Sequence, residues 1–432
     1  IQLSVFNAID ELIGQESSFY AGTSGISIGL SDTLTWQHGE STMQTKSTND
    51  GFYGLTIPLI ERGIPLKVTS LDKLGTSASL DGVEVLILSY ELMKPVSEEV
   101  NEIIAGWVKQ GGVLLYIGGD DSYDDIRSEW WGQKGETPLS NLLGHLGLDG
   151  VTNGSVDYIT DITWCGPAEY GESLQKSIIY ISPRTMTYEG EGLTSILNAG
   201  GLSVGMRASV GKGQVITCGL PASYFSSEAD GPQNLRDLVE YATSFSKKEY
   251  LETSLMAVKR GPFLAASALD HSTGETLTGN FIDLFDEDLP IITSKSIAAG
   301  DDAVLLRDIT DKMTTGTPRL AHTGGNIKGD LIETSETTRF SFVGPTNSVS
   351  ATRILGNGKY PQEVKITRNG EEYSAAVYMW DNATSSLLLK VENSVDVPVD
   401  VEIVWGDTAV ADDPVYTIQR VTVATNSLNA DQ

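Results

Sequence analysis

A chain of 432 residues is too long for one compact core and predicts roughly two to four domains. With 58 acidic against 29 basic residues, a net charge of −29, it offers no Lys/Arg cluster for a phosphate backbone. That excludes nucleic acid, disfavours anionic membranes, and points to a soluble, self-repelling protein that meets neutral or cationic ligands.

The first segment, residues 2–22, reads as an amphipathic helix. The chain starts at Ile1 without Met or signal peptide. The expectation is therefore a fragment or a mature chain, with this helix continuing from an upstream domain. Ile26 to Leu30 is a short apolar strand. Phe52 to Arg62 is helical and stops at Gly63. Pro65 to Thr69 is the next strand, and Val83 to Leu88 is a continuous apolar run of the kind buried in parallel sheets. Pro95 to Lys109 starts with Glu98 and Glu99 and ends on Lys109, which suits the helix dipole, and Gly111-Gly112 ends it. Val113 to Ile117 is another buried strand. This rhythm predicts a parallel sheet with helices on both faces.

Residues 120–200 read as irregular, apart from a helix near Leu139 to Leu146. Leu202 to Ala208 and Gln214 to Cys218 read as a hairpin joined at Val210-Gly211-Lys212-Gly213. Asn234 to Phe245 closes this region, and Lys247-Lys248 marks its boundary. Beyond about residue 250 helical patterns vanish. Short alternating segments take over, among them Thr338–Phe342, Ala375–Trp380 and Val399–Val404, and Arg368-Asn369-Gly370-Glu371 is a strong hairpin signal. The fold class expected is thus α/β plus all-β: an α/β domain over 1–248, a β domain over 249–314 and a C-terminal β-sandwich over 315–432, or one or two sandwiches in all. The Thr/Gly-rich stretch Met313 to Gly329 is the expected break between the last two.

Residues 31–40, 50–66, 85–131 and 211–221 together resemble the amidotransferase-like domain of large bacterial glycosidases. The likeness is to the middle, trimerisation-type domain of glycoside hydrolase family 42 β-galactosidases, and it covers residues 1–248. It implies a flavodoxin-like sheet, a homo-oligomer, and a neighbouring catalytic barrel and small β domain. It also implies a bacterial protein, cytoplasmic or secreted. The family's two catalytic glutamates belong to the barrel and have no counterpart here. The amidotransferase cysteine is missing too: the turn after Leu88 reads Ser89-Tyr90-Glu91. No His-x-Glu pair follows the last strand of the sheet, where the chain reads Leu220-Pro221-Ala222-Ser223. No catalytic residue is carried over.

Several residues still converge in sequence on the carboxyl edge of the sheet, where open α/β sheets bind ligands. Trp36 and His38 follow the first strand, Tyr90 and Glu91 the third. Asp120, Asp121, Asp124 and Asp125 follow the strand ending at Ile117, and Trp130 and Trp131 come next. Rings stack on sugar faces and carboxylates accept sugar hydroxyls, so Trp36, Tyr90, Glu91, Asp120 and Trp131 are candidates for a sugar-facing surface. The same aromatics equally suit a subunit or barrel interface. The four aspartates offer hard oxygens for Ca²⁺, although the spacing is not that of an EF-hand. They also suit a solvated loop whose Asp124 or Asp125 caps the next helix. Ser89 lacks the GxSxG context of a nucleophile elbow, and His38, His145, His271 and His322 are scattered. Cys165 and Cys218 form neither a disulfide framework nor a zinc site; sequence does not decide whether they pair. Asn382-Ala383-Thr384 is a glycosylation sequon of the kind that recurs by chance.

Three functions stay open. The first is a non-catalytic accessory portion of a glycoside hydrolase whose partners are carbohydrate or a catalytic domain. The second is a self-contained carbohydrate-binding or surface-assembly protein. The third is a divergent hydrolase working at 89–91. No cofactor other than Ca²⁺ is implied.

Overall fold

The computed structural model describes residues 1–19, 22–36, 50–148, 151–171, 176–268, 274–300, 303–393 and 397–409. Contacts divide the chain into an α/β unit built on Ala21–Met256 and a β-rich unit built on Ile1–Tyr20, Ala257–Ala268 and Thr273–Gln432. The opening helix, Gln2–Glu11, and strand β1 (Ser17–Phe19) therefore group with the C-terminal half rather than with the α/β unit. The helix buries only Ser4 and Ala8, four residues apart on one narrow face.

The α/β unit carries β2 (Ile26–Leu30), β3 (Leu66–Ser70), β4 (Val85–Leu88), β5 (Val113–Ile117), β6 (Thr152–Trp164), β7 (Lys176–Glu189), β8 (Thr194–Ala199), β9 (Leu202–Val210) and β10 (Gly213–Cys218). They form one sheet in the order β3-β2-β4-β5-β10-β9-β8-β6-β7. The first five are parallel and β9, β8 and β6 are antiparallel additions, so the sheet is mixed rather than wholly parallel. Its central strands are apolar throughout because both faces are covered. Val85 and Ile87 of β4 enter one core cluster, Leu86 and Leu88 the other, as a two-residue side-chain period requires. Each such side chain contributes about 1.5–3 kcal/mol by leaving water. Helix Glu98–Gln110 has Glu98 and Glu99 in its first turn and ends on Gly111 at φ 129°.

Two expectations change in this unit. The helix read over 52–62 is a 3₁₀ turn, Tyr53–Leu55, followed by a single turn, Ile57–Ile60; Pro58 has no N–H to carry one helix through. The stretch 120–200, read as irregular, contains β6, β7 and β8. β6 and β7 form a long hairpin broken by register shifts, and their Thr-, Ser- and Tyr-rich sequences lack the apolar run that marks a buried strand.

The β-rich unit has two parts. One is a six-stranded sheet, in which β1 joins β11 (Leu255–Arg260), β12 (Phe263–Ala268), β13 (Glu275–Asp283), β14 (Ile291–Ile297) and β15 (Val304–Asp308), in the order β1-β11-β12-β15-β13-β14. The other is a two-sheet sandwich of β16 (Arg319–Thr323), β17 (Asn326–Glu333), β18 (Thr337–Val343), β19 (Ser348–Leu355), β20 (Tyr360–Arg368), β21 (Glu371–Glu372), β22 (Ala376–Asp381), β23 (Ser386–Asn393) and β24 (Val399–Gly406). Its sheets run β16-β19-β23-β22 and β17-β18-β24-β20-β21. Phe342, Ile354, Leu389 and Ile403 lie in the core between them. The expected break at 313–329 falls partly on strands β16 and β17. The hairpin at 368–371 is present, with Asn369 at φ 53° and Gly370 at φ 81°, the two positive φ values of a type I′ turn.

Candidate functional site

β4 ends in an elbow. Leu92, just after it, sits at φ 64°, a left-handed conformation costing a branched residue about 1–2 kcal/mol. In nucleophile elbows the strained residue is the one that attacks. Here the strained position holds an aliphatic side chain, one residue beyond the expected 89–91. Its backbone N–H donates to Asp121 Oδ2 at 2.8 Å. Ser89 is buried, and its Oγ accepts from the Glu91 N–H at 3.2 Å.

Glu91 points across the carboxyl edge of the sheet. Its Oε2 accepts from the N–H of Gly119 at 3.0 Å, just past β5, and from the N–H of Ala222 at 2.8 Å, the first residue of helix Ala222–Ser227. Gly119 is required here: a Cβ would lie 2.4 Å from the Arg184 carbonyl oxygen. Glu91 keeps part of its side chain at the surface, yet its carboxylate is deeply surrounded. Burial pushes its pKa up to about 7; the two N–H donors and Lys94 pull it down, and the charge of Asp121 adds to the rise.

The acidic loop beside it is partly paired from within: four aspartates share two cations, Lys94 and Arg184. Lys94 is 2% exposed. Its ammonium reaches the Tyr90 carbonyl at 2.7 Å, Asp124 Oδ1 at 2.8 Å and Asp121 Oδ2 at 3.1 Å, so all three donors find acceptors, as a buried ammonium needs. Burial raises the pKa of Asp124, against the pull of Lys94. Asp120 holds Arg184 through two bonds, 2.8 and 3.2 Å, and Asp125 meets the same guanidinium at 3.4 Å. The loop after β2 is stitched on as well: Thr33 Oγ1 donates to the Lys94 carbonyl and accepts from its N–H, both at 2.8 Å.

The sequence candidates therefore separate. Tyr90 is 1% exposed, its hydroxyl bonded to Asn101 and its ring edge-on to Tyr116. Trp131 is 4% exposed and donates its indole N–H to the Asp124 carbonyl. Both are core residues, which corrects their reading as a sugar-facing surface: each ring is buried because its polar tip finds a partner inside, Asn101 for Tyr90 and the Asp124 carbonyl for Trp131. Trp130 stays partly exposed, with its N–H on the Pro95 carbonyl. Asp121 is spent on Lys94, Leu92 and Tyr123. The four aspartates face internal cations rather than a shared cavity, and among the described residues no group of three or more acidic, His or Cys side chains is arranged to hold a metal. Neither Asp124 nor Asp125 caps a helix; the next one starts after Glu129. The Trp36 side chain, His38 and His271 lie outside the described residues. His145 pairs with Glu98, and His322 bonds to Ser4 and Arg307, so neither serves Ser89. Cys165 is exposed and Cys218 buried, both free, and burial pushes the Cys218 thiol up to about 12.

Sequence reading missed Lys94 and Arg184. The signal for Lys94 was present: it is the lone cation between β4 and the following helix, ahead of four aspartates. Arg184 lay in the stretch read as irregular and carried no such mark.

No protein-family profile matches the chain, and no curated protein matches it. Solved structures show a partial likeness. With the β-galactosidase from Rahnella sp. R3 the TM-score is 0.45 at 15% identity, over 70% of this chain and 43% of that one. With the β-galactosidase from Bacillus circulans sp. alkalophilus it is 0.43 at 15% identity, over 66% and 41%. With the β-galactosidase from the Antarctic haloarchaeon Halorubrum lacusprofundi it is 0.38 at 14%, over 69% and 41%. The chain spans less than half the length of these three proteins, and likeness at this level assigns it to no family.

Proposed function

We propose that this chain is a non-catalytic accessory and oligomerisation portion of a bacterial glycoside hydrolase of β-galactosidase type, and that its α/β unit is an amidotransferase-like, flavodoxin-like domain. The class comes from the resemblance of residues 31–40, 50–66, 85–131 and 211–221. The parallel strands support the fold assignment: in chain order they lie second, first, third, fourth, fifth across the sheet, the order of a doubly wound fold with its ligand crevice at the switch point.

The observation that carries the non-catalytic reading is that the carboxyl edge of the sheet beside that crevice, at the ends of β4, β5 and β10, is occupied by the protein itself. Backbone donors at a strand end and a helix start, Gly119 and Ala222, are the kind of group that steadies an oxyanion. Both are already bound to Glu91. The strained elbow position is a leucine, and no described histidine serves Ser89. An enzyme working there would have to break these bonds first.

Two measurements on the purified chain test this. It should show no turnover of nitrophenyl β-galactoside, glutamine or nitrophenyl acetate. Light scattering should give a mass that is a multiple of 46.4 kDa. Turnover abolished by Ser89→Ala would restore the hydrolase reading, and a monomer at micromolar concentration would remove the oligomerisation role.

A further inference from the structure

We propose a carbohydrate-contacting site in the β-rich unit, in the groove between strands β20 and β21 and the edge strand β22. It rests on the carbohydrate class of the proposed function but not on the sheet edge of the α/β unit. The groove encloses about 750 Å³, within the range of roughly 300–1,000 Å³ typical of small-molecule sites.

The groove exists because the sandwich is left open along one side. β22 is the last strand of its sheet, and β21 pairs only with Thr367 and Arg368 of β20. Beyond that pairing and the Tyr373 N–H on the Ile366 carbonyl, Tyr360–Lys365 has no partner strand on its outer side among the described residues. An added peptide strand is the obvious occupant of such an edge, and β20 is built against it. It carries Pro361, a register shift between Pro361 and Glu363, and Lys365; proline, bulges and lysine are the devices that keep edges from pairing. What remains is a space for a compact polar ligand.

The lining states which kind. Two tyrosines, Tyr373 and Tyr378, border the groove with Glu363, Lys365, Glu372 and Ser374. Tyr373 is held in place before any ligand arrives: its hydroxyl donates to the Glu392 carbonyl at 2.7 Å, and the Arg368 guanidinium lies 4.0 Å from its ring centroid. Arg368 covers one face of Tyr373, so Tyr378 and the uncovered side of Tyr373 are the ring surfaces this lining has for a ligand, and a ring already fixed costs little entropy to use. Carboxylates, an ammonium and a hydroxyl supply acceptors and donors for vicinal hydroxyls. Glu363 and Glu372 balance Lys365 and the Arg368 beside Tyr373, and on a chain of net charge −29 such a balanced lining gives an anion no net attraction. Apolar ring faces with hydroxyl-matching polar groups and no net attraction for anions describe a neutral oligosaccharide two to three sugars long.

Isothermal titration of the full chain tests this, with β-1,4-galactotriose, cellotriose and mannotriose as probes and 3′-sialyllactose as the anionic control. At least one neutral trisaccharide should bind with a millimolar or tighter Kd, and the sialylated sugar more weakly. Tyr378→Ala should weaken binding at least tenfold. Because Tyr378 also packs on the core, Glu372→Gln, at an exposed position, serves as the second variant and should weaken it severalfold with an unchanged melting temperature. Binding indifferent to both variants overturns the site, as does no binding to any neutral probe. Light scattering separates the two proposals: a multimer without sugar binding overturns this site and leaves the accessory role standing.

Discussion

Glu91 is the residue where structure and chemistry meet most closely. Its carboxylate is drawn into the sheet edge by two N–H groups and pushed toward neutrality by burial, which lifts its pKa from the ordinary 4.5 to about 7. The folded state therefore holds more protons than the unfolded one between those values, and stability falls as pH rises through that window. Glu91→Gln keeps an oxygen for Gly119 and Ala222 and has no charge to desolvate. The variant should match the native chain near pH 5 and exceed it above pH 8, by about 1–3 kcal/mol after allowing for the partly exposed side chain. Thermal melts at the two pH values read this directly, and an advantage independent of pH would show that ionisation is not the cause. The residues were legible in sequence as an acidic, aromatic edge. Their roles were not, because whether Asp121 and Asp124 face solvent or Lys94 depends on how the loops after β4 and β5 pack.

At the scale of elements, the opening helix shows how a buried polar set fastens one segment to another within the β-rich unit. Asn7 donates to the carbonyls of Thr323 and Gly325 at 2.9 and 2.7 Å. Arg307 bonds Glu11 at 2.7 Å and His322 Nδ1 at 2.9 Å, while His322 Nε2 donates to the Ser4 carbonyl at 3.0 Å. His322 is fully buried and flanked by the Phe263 ring and the Arg307 charge. Burial, then that charge, lowers its pKa to about 3. The neutral ring is the one that fits, so the unfolded state takes up the proton more readily. The contribution is whole above pH 6.5 and is lost as pH falls toward 3. By pH 4.5 the loss should reach about 2–3 kcal/mol. His322→Gln should flatten the profile between pH 6.5 and 4.5 in denaturant titrations; parallel profiles would refute the role. Sequence marked this segment as an amphipathic helix correctly over residues 2–11 but attached it to the wrong unit, since Ser4, Asn7 and Glu11 look like surface residues until their partners are known.

At the scale of the whole molecule, charge sets the behaviour. Surface pairs such as Arg319–Glu333 and Lys259–Asp308 contribute about 0–1 kcal/mol each and weaken in salt. The excess of 29 negative charges over the whole chain repels itself, and salt screens that repulsion. Repulsion should dominate, so the melting temperature is expected to rise by several degrees between 0.05 and 0.5 M NaCl; a flat or falling curve in scanning fluorimetry would put the pairs ahead. The sequence by itself determined the two-part character of the chain: apolar runs with helix signals in the first half, short alternating strands and an Asn-Gly turn in the second. Those features are local, written in a period of two or of 3.6 residues and in turn chemistry. Only the tertiary structure decided that the sheet is mixed, that the opening helix groups with the β-rich unit, and that Glu91 binds the backbone N–H groups of Gly119 and Ala222 at the sheet edge. Each of those depends on which distant groups meet, and the contacts between residues 91, 119 and 222 or between 4, 307 and 322 leave no periodic mark along the chain.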